Sequence, residues 1–93
     1  ARLSMHLSIP ARFLVLLPDS RVTGVSVRIE DEAERARLKQ LLAELAALPP
    51  ASGHFGFIAR TNAEGATREL LEQEIGYLVR LWEVVHLRAR QST

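Results

Sequence analysis

The chain has 93 residues, a hydrophobic content of 47% and a formal net charge of +1 at pH 7. That length and composition predict one folded domain over residues 1–93, with a real hydrophobic core. The small net charge excludes the global basic field of a non-specific nucleic-acid binder, so any contact with nucleic acid must be local. The absence of cysteine excludes disulfides, thiolate catalysis and zinc–thiolate sites, and it is consistent with a reducing compartment.

No apolar run is long enough to span a membrane, and no signal peptide is visible. The sequence begins in a strand-like pattern without an initiator methionine. We therefore expect the chain to be a fragment of a larger protein.

The first third of the chain predicts three strands. Apolar and polar residues alternate over residues 3–9, which is typical of a half-buried strand. Residues 13–17 are apolar throughout and predict a central strand, which the turn residues Pro18, Asp19 and Ser20 end. Residues 25–29 alternate again and predict a third, shorter strand.

Two helices are predicted from their capping residues and apolar periodicity. Asp31 with Glu34 has the spacing of a capping box at the start of the first helix, and Thr67 is the predicted N-cap of the second. Arg88 and Arg90 suit the C-terminal end of the second helix. The residues expected to face the core are Leu38, Leu41, Leu42, Leu45 and Leu48 in the first helix, and Leu71, Ile75, Leu78, Trp82 and Val85 in the second.

A short strand over residues 57–59 lies between the two helices, after a loop rich in proline and glycine at residues 49–53. The element order is therefore β-β-β-α-β-α. This order predicts an α+β fold, in which two helices pack against a small, mostly antiparallel sheet of about four strands.

The strand at residues 57–59 ends in Arg60 and Thr61, shortly before the second helix. Arginine presents a planar fork of charged donors, and threonine adds a short hydroxyl donor. A nearby helix N-terminus adds oriented N–H groups. The pair therefore favours binding of an anion such as phosphate, although an arginine at a strand end is more often a surface residue without a ligand.

Most other polar and aromatic residues have simpler structural explanations. Aromatic side chains dominate small cores, and we expect this role for Trp82, Phe13, Phe55 and Phe57, whereas Tyr77 is a loose candidate for base stacking. The three histidines have no metal-ligand spacing, and the acidic run at residues 30–34 is typical of a helix start. Solvated helix faces are expected for Arg35, Arg37, Arg68 and Arg80.

The sequence resembles the ribonuclease E/G family in four segments that occur in that family's order. They are LSIPARFLVLLP at residues 7–18, GVS at 24–26 with RIE at 28–30, GFIART at 56–61 followed by EGA at 64–66, and LVRLWE at 78–83. Each segment is modest by itself, but four in register are specific and cover nearly the whole chain.

The resemblance implies that this segment is the family's 5′ sensor, which lies between an OB-fold RNA-binding domain and the catalytic nuclease region. It implies binding of the 5′-monophosphate end of single-stranded RNA and preferential cleavage of that RNA, in RNA processing and mRNA decay in the bacterial cytoplasm. Arg60 and Thr61 fall on the family's phosphate-binding pair. Val15 falls on a strand residue that lines the same pocket, and Ala11 falls beside the pocket on a position that is usually glycine.

The resemblance also places the magnesium-binding carboxylates of the parent enzyme outside this segment. We therefore expect no catalytic residue, metal ligand or cofactor in this chain, and no cleavage of RNA by the chain alone. The parent enzyme is expected to be a homo-oligomer. Arg12 and Arg28 lie on predicted strands and are candidates for contacts with the RNA backbone, where arginine positions RNA without reading its sequence.

Some residues depart from the family pattern. The methyl group of Ala11 narrows the approach of a terminal nucleotide, and Val27 stands where a second basic residue often adjoins Arg28. No lysine follows the Arg-Thr pair, unlike in family members that carry GVGKS there, and the loop at residues 49–54 is longer than usual. These departures bear on affinity and on rejection of a 5′-triphosphate, and they leave open whether the parent belongs to the E or the G branch.

Two other classes of function remain. An independent hydrolase would need acid–base partners that converge on a cleft, and the carboxylates cluster instead at helix starts and on helix faces. A structural or protein-interaction module would use Arg60 only as a surface residue, and it would bind RNA with 5′-monophosphate and 5′-hydroxyl ends equally.

Overall fold

A computed structural model of the chain describes residues 8–18 and 20–91. Its strands are β1 (Ile9–Pro10), β2 (Leu14–Leu17), β3 (Thr23–Val25) and β4 (Gly56–Ala59). Its α-helices are α1 (Glu32–Ala47) and α2 (Arg68–Gln91), and a 3₁₀ turn at Thr61–Ala63 follows β4. The predicted order of β-β-β-α-β-α is confirmed.

The four strands form one sheet in the order β1-β2-β4-β3. The pairs β1/β2 and β2/β4 are antiparallel, whereas β3 and β4 are parallel. The parallel pair needs a long connection, and α1 supplies it by carrying the chain back to the start of β4. The sheet is thus mixed but mostly antiparallel, and the predicted α+β class is confirmed.

The hydrophobic core lies between one face of the sheet and the two helices. The strand residues that are fully buried in it are Leu14, Leu16, Phe57 and Ala59. The helices contribute Leu38, Leu42 and Leu45 from α1, and Leu71, Ile75 and Leu78 from α2. Because side chains alternate along a strand, Val15 and Ile58 lie on the opposite face, where they are only half-buried. We call this second face the open face.

The predicted helix caps are present. The Oδ1 atom of Asp31 accepts hydrogen bonds from the backbone N–H groups of Ala33 and Glu34, at 3.0 and 3.3 Å. The hydroxyl of Thr67 accepts a hydrogen bond from the Leu70 N–H at 3.2 Å. Each cap satisfies N–H groups that have no partner inside their helix.

The third strand was predicted at residues 25–29, which is wrong, because β3 ends at Val25 and a turn follows it. Ser26 holds this turn: its carbonyl accepts hydrogen bonds from the Ile29 N–H and from the Arg35 guanidinium, at 3.2 and 2.6 Å. Val27 is 85% exposed, whereas Ile29 is fully buried. The apolar alternation therefore comes from a turn in which Ile29 alone packs into the core, and not from a strand. Arg35 was predicted to lie on a solvated helix face, and this prediction is wrong, because its guanidinium holds the turn.

Two residues predicted to face the core are exposed. Leu48 is the C-cap of α1, and its extended backbone takes it off the apolar stripe. Val85 is exposed because the buried stripe of α2 ends at Val79, with Trp82 half-buried after it. Trp82 is half-buried against the core and meets Phe55 edge-to-face at 5.4 Å between ring centroids.

The remaining aromatic residues and arginines mostly lie where the sequence predicts. Phe57 and Phe55 are buried, Phe13 packs against the core, and Tyr77 is exposed. Arg37 and Arg68 form ion pairs with Glu34 and Glu44. Residues 3–7 of the first predicted strand, Asp19 and the side chains of Arg88 and Arg90 lie outside the described residues. Neither described helix combines the length and the apolar character that crossing a bilayer requires.

Gly56 marks a close approach between β4 and the chain before β3. A Cβ atom at this position would lie 2.6 Å from the Val22 carbonyl oxygen and 3.1 Å from the Val22 nitrogen. Gly56→Ala should therefore lower the free energy of unfolding by roughly 1–3 kcal/mol, because the clash is with backbone atoms. The midpoint of urea unfolding measures this loss.

Gly24→Ala is the matched control, because a Cβ atom at this neighbouring strand position meets no atom within 4 Å. Its free energy of unfolding should stay within about 0.5 kcal/mol of the wild-type value. Equal effects of the two substitutions would show that the close approach at Gly56 does not constrain the sheet.

Candidate functional site

Three segments of the chain meet at one end of the sheet. β2 begins at this end, whereas β3 and β4 finish there, because β4 is antiparallel to β2 and parallel to β3. The register places Leu14 and Val25 on either side of Ala59. We call residues 11–13, 26–28 and 60–62, which extend beyond this row, the polar end of the sheet.

Arg60 continues β4 into the polar end with an extended backbone (φ −83°, ψ 169°). Its N–H donates to the Phe13 carbonyl at 2.7 Å, which prolongs the pairing of β2 with β4. Strand alternation places its side chain on the open face, two residues after Ile58. The exposed guanidinium donates from Nη1 to the Ala11 carbonyl at 2.7 Å. This contact uses one of the five N–H donors that a guanidinium carries.

Thr61 begins the 3₁₀ turn and is also exposed. Its hydroxyl lies 3.5 Å from the hydroxyl of Ser26, which in turn accepts a hydrogen bond from the Arg28 N–H at 3.2 Å. Arg60 thus contacts the β2 side of β4, and Thr61 contacts the β3 side. The two side chains flank the end of β4, and both remain open to solvent.

Ala11 and Val15 both lie on the β2 side of β4, which is the side on which the Arg60 guanidinium makes its contact. Ala11 provides the carbonyl that holds the guanidinium, and its side chain packs at the edge of the core. Val15 pairs with Ile58 on the open face and is half-buried there. The open face therefore carries apolar surface next to the Arg60 guanidinium.

Two further arginines belong to the polar end. Arg12 is exposed in the bend between β1 and β2, and the prediction that it lies on a strand is wrong. Its guanidinium lies 5.2 Å from the centroid of the Phe13 ring. Arg28 is exposed in the turn after β3, not on a strand as predicted. Together with Arg60 they concentrate positive charge at this end, although the whole chain carries a formal net charge of only +1.

Sequence reasoning missed Glu74, which reaches the polar end from α2. Its Oε2 atom accepts hydrogen bonds from the Phe13 and Leu14 N–H groups, at 2.6 and 2.8 Å. A signal was present, because Glu74 interrupts the apolar stripe of α2 between Leu71 and Leu78. Its backbone partners are about 60 residues away along the chain, so no local pattern identifies them.

Glu34 holds the loop that follows the 3₁₀ turn. Its carboxylate bonds Arg37 through both oxygens, at 2.6 and 2.9 Å, and it accepts the Gly65 N–H at 2.6 Å. Gly65 has a φ of 81°, which favours glycine. The hydrogen bond from Arg37, followed by that from Gly65, lowers the pKa of Glu34 to about 2. The predicted capping box is thus only half-formed, because Glu34 turns away from Asp31.

Among the described residues, no three His, Asp or Glu side chains cluster closely enough to hold a metal ion. An open depression of about 230 Å³ lies elsewhere, beside α1 and the start of β3. Its lining includes Arg21, Thr23 and Phe55 but no residue of the polar end.

The architecture and the polar end define a small α+β module with exposed arginines gathered at one end of its sheet. The model of the ribonuclease E/G family matches residues 8–93. The chain belongs to this family.

Individual relatives agree with the family match. The chain is 42% identical over 91 residues to ribonuclease G of Salmonella typhimurium, and 46% identical over 85 residues to ribonuclease G of Haemophilus influenzae. It is 37% identical over 92 residues to ribonuclease E of Nostoc sp.. These alignments cover 98%, 91% and 99% of this chain but only 18%, 16% and 12% of the relatives. The chain thus spans less than a fifth of each relative's length.

The Glu34 contacts predict a pH dependence of stability. A carboxyl group whose pKa falls from 4.5 to about 2 on folding stabilises the fold above pH 4.5, and it loses this contribution as the pH falls towards 2. Over this range the wild type should lose roughly 2–3 kcal/mol more than Glu34→Gln, which has no carboxyl group to titrate. Urea unfolding at a series of pH values measures the difference.

Glu72→Gln serves as the control, because it removes an exposed carboxylate of α2. This variant should keep the wild-type pH dependence. If Glu34→Gln also keeps it, the carboxylate of Glu34 does not hold the Gly65 loop in solution.

Proposed function

We propose that this chain forms the domain of a ribonuclease E/G-type endoribonuclease that binds the 5′-monophosphate end of single-stranded RNA. The observation that carries the proposal is the exposed Arg60 guanidinium, fixed by the Ala11 carbonyl and separated from the Thr61 hydroxyl by the end of β4. Holding that end would favour cleavage of the same RNA by a nuclease region outside this chain. The process served would be RNA processing and decay in the cytoplasm.

The chemistry of the ligand suits this arrangement. A terminal monophosphate carries close to two negative charges at neutral pH and presents three strong acceptor oxygens. Arg60 retains N–H donors beyond the one that Ala11 uses, and a guanidinium binds phosphate oxygens in a bidentate manner. Thr61 offers a hydroxyl from the other side of β4. A phosphate over the end of β4 would therefore receive donors from two directions.

The open face supplies a surface for the terminal nucleotide. Val15 and Ile58 are half-buried there, on the same face as Arg60. Bases that leave a stack are commonly held by contact with protein side chains. The first nucleoside would lie on this apolar surface, and a bulkier, more highly charged 5′-triphosphate would be rejected by size and by unpaired charge.

Arg12 and Arg28 fit a supporting role. Both are exposed within the polar end, on its β2 and β3 sides. Arginine contacts with the backbone position RNA without reading its sequence. These two residues would strengthen binding of RNA whatever its 5′ end.

The proposal also includes the domains that would flank this chain in the parent enzyme. An OB-fold domain and a magnesium-dependent nuclease domain would flank the chain in a homo-oligomer, and this chain alone would not cleave RNA. The names of the relatives, ribonuclease G and ribonuclease E, support RNA as the substrate of the parent.

The test compares kcat/KM of the full-length enzyme for two single-stranded RNAs that differ only in a 5′-monophosphate or 5′-hydroxyl end. Arg60→Ala should lower the preference for the monophosphate about 10- to 100-fold, because a hydrogen bond to a charged group contributes about 1.5–3 kcal/mol. Thr61→Val should lower it less, since one neutral donor is lost. Cleavage of the 5′-hydroxyl RNA should stay unchanged.

Arg21→Ala is the matched control, because Arg21 is an exposed arginine just before β3, away from the polar end. It should leave the preference intact, whereas Arg12→Ala and Arg28→Ala should lower kcat/KM for both RNAs alike. If Arg60→Ala and Thr61→Val keep the full preference, the chain is a structural or protein-interaction module and the proposed site is wrong.

A further inference from the structure

Glu74 joins α2 to the strand that faces Arg60. It is half-buried, and its Oε2 atom accepts the N–H groups of both Phe13 and Leu14. These are two consecutive donors at the point where the β1–β2 turn enters β2. One carboxylate oxygen therefore holds the backbone that forms one wall of the polar end.

Each of these N–H groups belongs to a peptide unit whose carbonyl faces the segment that follows β4. The peptide unit of the Leu14 N–H carries the Phe13 carbonyl, which accepts the Arg60 N–H at 2.7 Å. The peptide unit of the Phe13 N–H carries the Arg12 carbonyl, which lies 3.5 Å from the Asn62 Nδ2 atom. Glu74 is thus separated from Arg60 and from Asn62 by a single peptide unit in each case.

The same turn supplies the acceptor for the Arg60 guanidinium. The Ala11 N–H donates to the Leu14 carbonyl at 2.8 Å and closes the turn, and the Ala11 carbonyl accepts Arg60 Nη1. A displacement of the Phe13–Leu14 backbone would therefore move this carbonyl as well. Hydrogen bonds through this one turn therefore link Glu74 to both the backbone and the guanidinium of Arg60.

A negative charge on the N–H side of a peptide unit also strengthens its carbonyl as an acceptor. Hydrogen bonds to an ionised group are stronger than neutral ones, and linked hydrogen bonds polarise one another. The position of Glu74 is otherwise unfavourable, because a carboxylate on the apolar stripe of a helix loses hydration. The two N–H groups account for its presence there.

We infer that Glu74 is a positioning residue for the proposed 5′-phosphate site: it acts through the Phe13 and Leu14 peptide units to hold Arg60 where it meets the terminal phosphate. This inference rests on the proposed function and extends it to α2. Glu74 itself touches neither phosphate nor RNA.

The full-length enzyme tests this with the same pair of RNAs, one with a 5′-monophosphate and one with a 5′-hydroxyl end. Glu74→Ala should lower the preference for the monophosphate about tenfold, since it removes both charge-assisted bonds to the turn. Glu74→Gln should lower it only about threefold, because the amide oxygen still accepts as a neutral group. Cleavage of the 5′-hydroxyl RNA should fall less than cleavage of the 5′-monophosphate RNA in both variants.

Two controls separate positioning from general stability. Val79→Ala truncates a buried residue of the same helix and should lower stability while keeping the preference. Glu72→Ala removes an exposed acid of α2 and should change neither the stability nor the preference. If Glu74 had only a structural role, Glu74→Ala would lower stability and keep the preference, as Val79→Ala is expected to do.

The outcomes distinguish this inference from the proposed function. An unchanged preference in whichever Glu74 variants are folded, together with a loss in Arg60→Ala, overturns the positioning role and leaves the 5′-end site standing. A wild-type enzyme that cleaves both RNAs alike overturns both. A graded loss, larger in Glu74→Ala than in Glu74→Gln and absent in Val79→Ala, supports the positioning role.

Discussion

The antiparallel pairing of β2 with β4 is the constraint on which the rest of the structure depends. Its register sets Leu14 opposite Ala59, so the first residues of β2 and the last residues of β4 share one end of the sheet. The Arg60 N–H extends this pairing by one more bond, to the Phe13 carbonyl. The same register turns Leu14 and Ala59 into the core and leaves Val15 and Ile58 on the open face. One pairing therefore builds the core and the candidate site together.

Much of the fold could be predicted because its signals are local. The caps at Asp31 and Thr67, the apolar stripes of both helices and the strand before Arg60 all depend on neighbouring residues. The prediction failed where a distant group intervened. The turn after β3 has the alternation of a strand, but Arg35 of α1 bonds the Ser26 and Ile29 carbonyls and draws the chain into a turn. Periodicity cannot reveal that contact.

The candidate site likewise has residues that could be predicted from the sequence and contacts that could not. Arg60 and Thr61 could be located from their place at a strand end, and the resemblance to the family added Ala11 and Val15. The supporting contacts could not be predicted, because they join segments that are far apart in sequence. Glu74 reaches the β1–β2 turn from α2, and Thr61 meets Ser26 across 35 residues. Family membership is established by the match to residues 8–93, while 5′-end binding is proposed from the geometry.

The most direct test of the central claim is a crystal structure of the enzyme with a short 5′-monophosphorylated RNA bound. The account predicts the terminal phosphate over the end of β4, with its oxygens within hydrogen-bond distance of the Arg60 guanidinium and the Thr61 hydroxyl, and the first nucleoside against Val15. A terminal phosphate bound elsewhere, with Arg60 still engaged only by the Ala11 carbonyl, would contradict it.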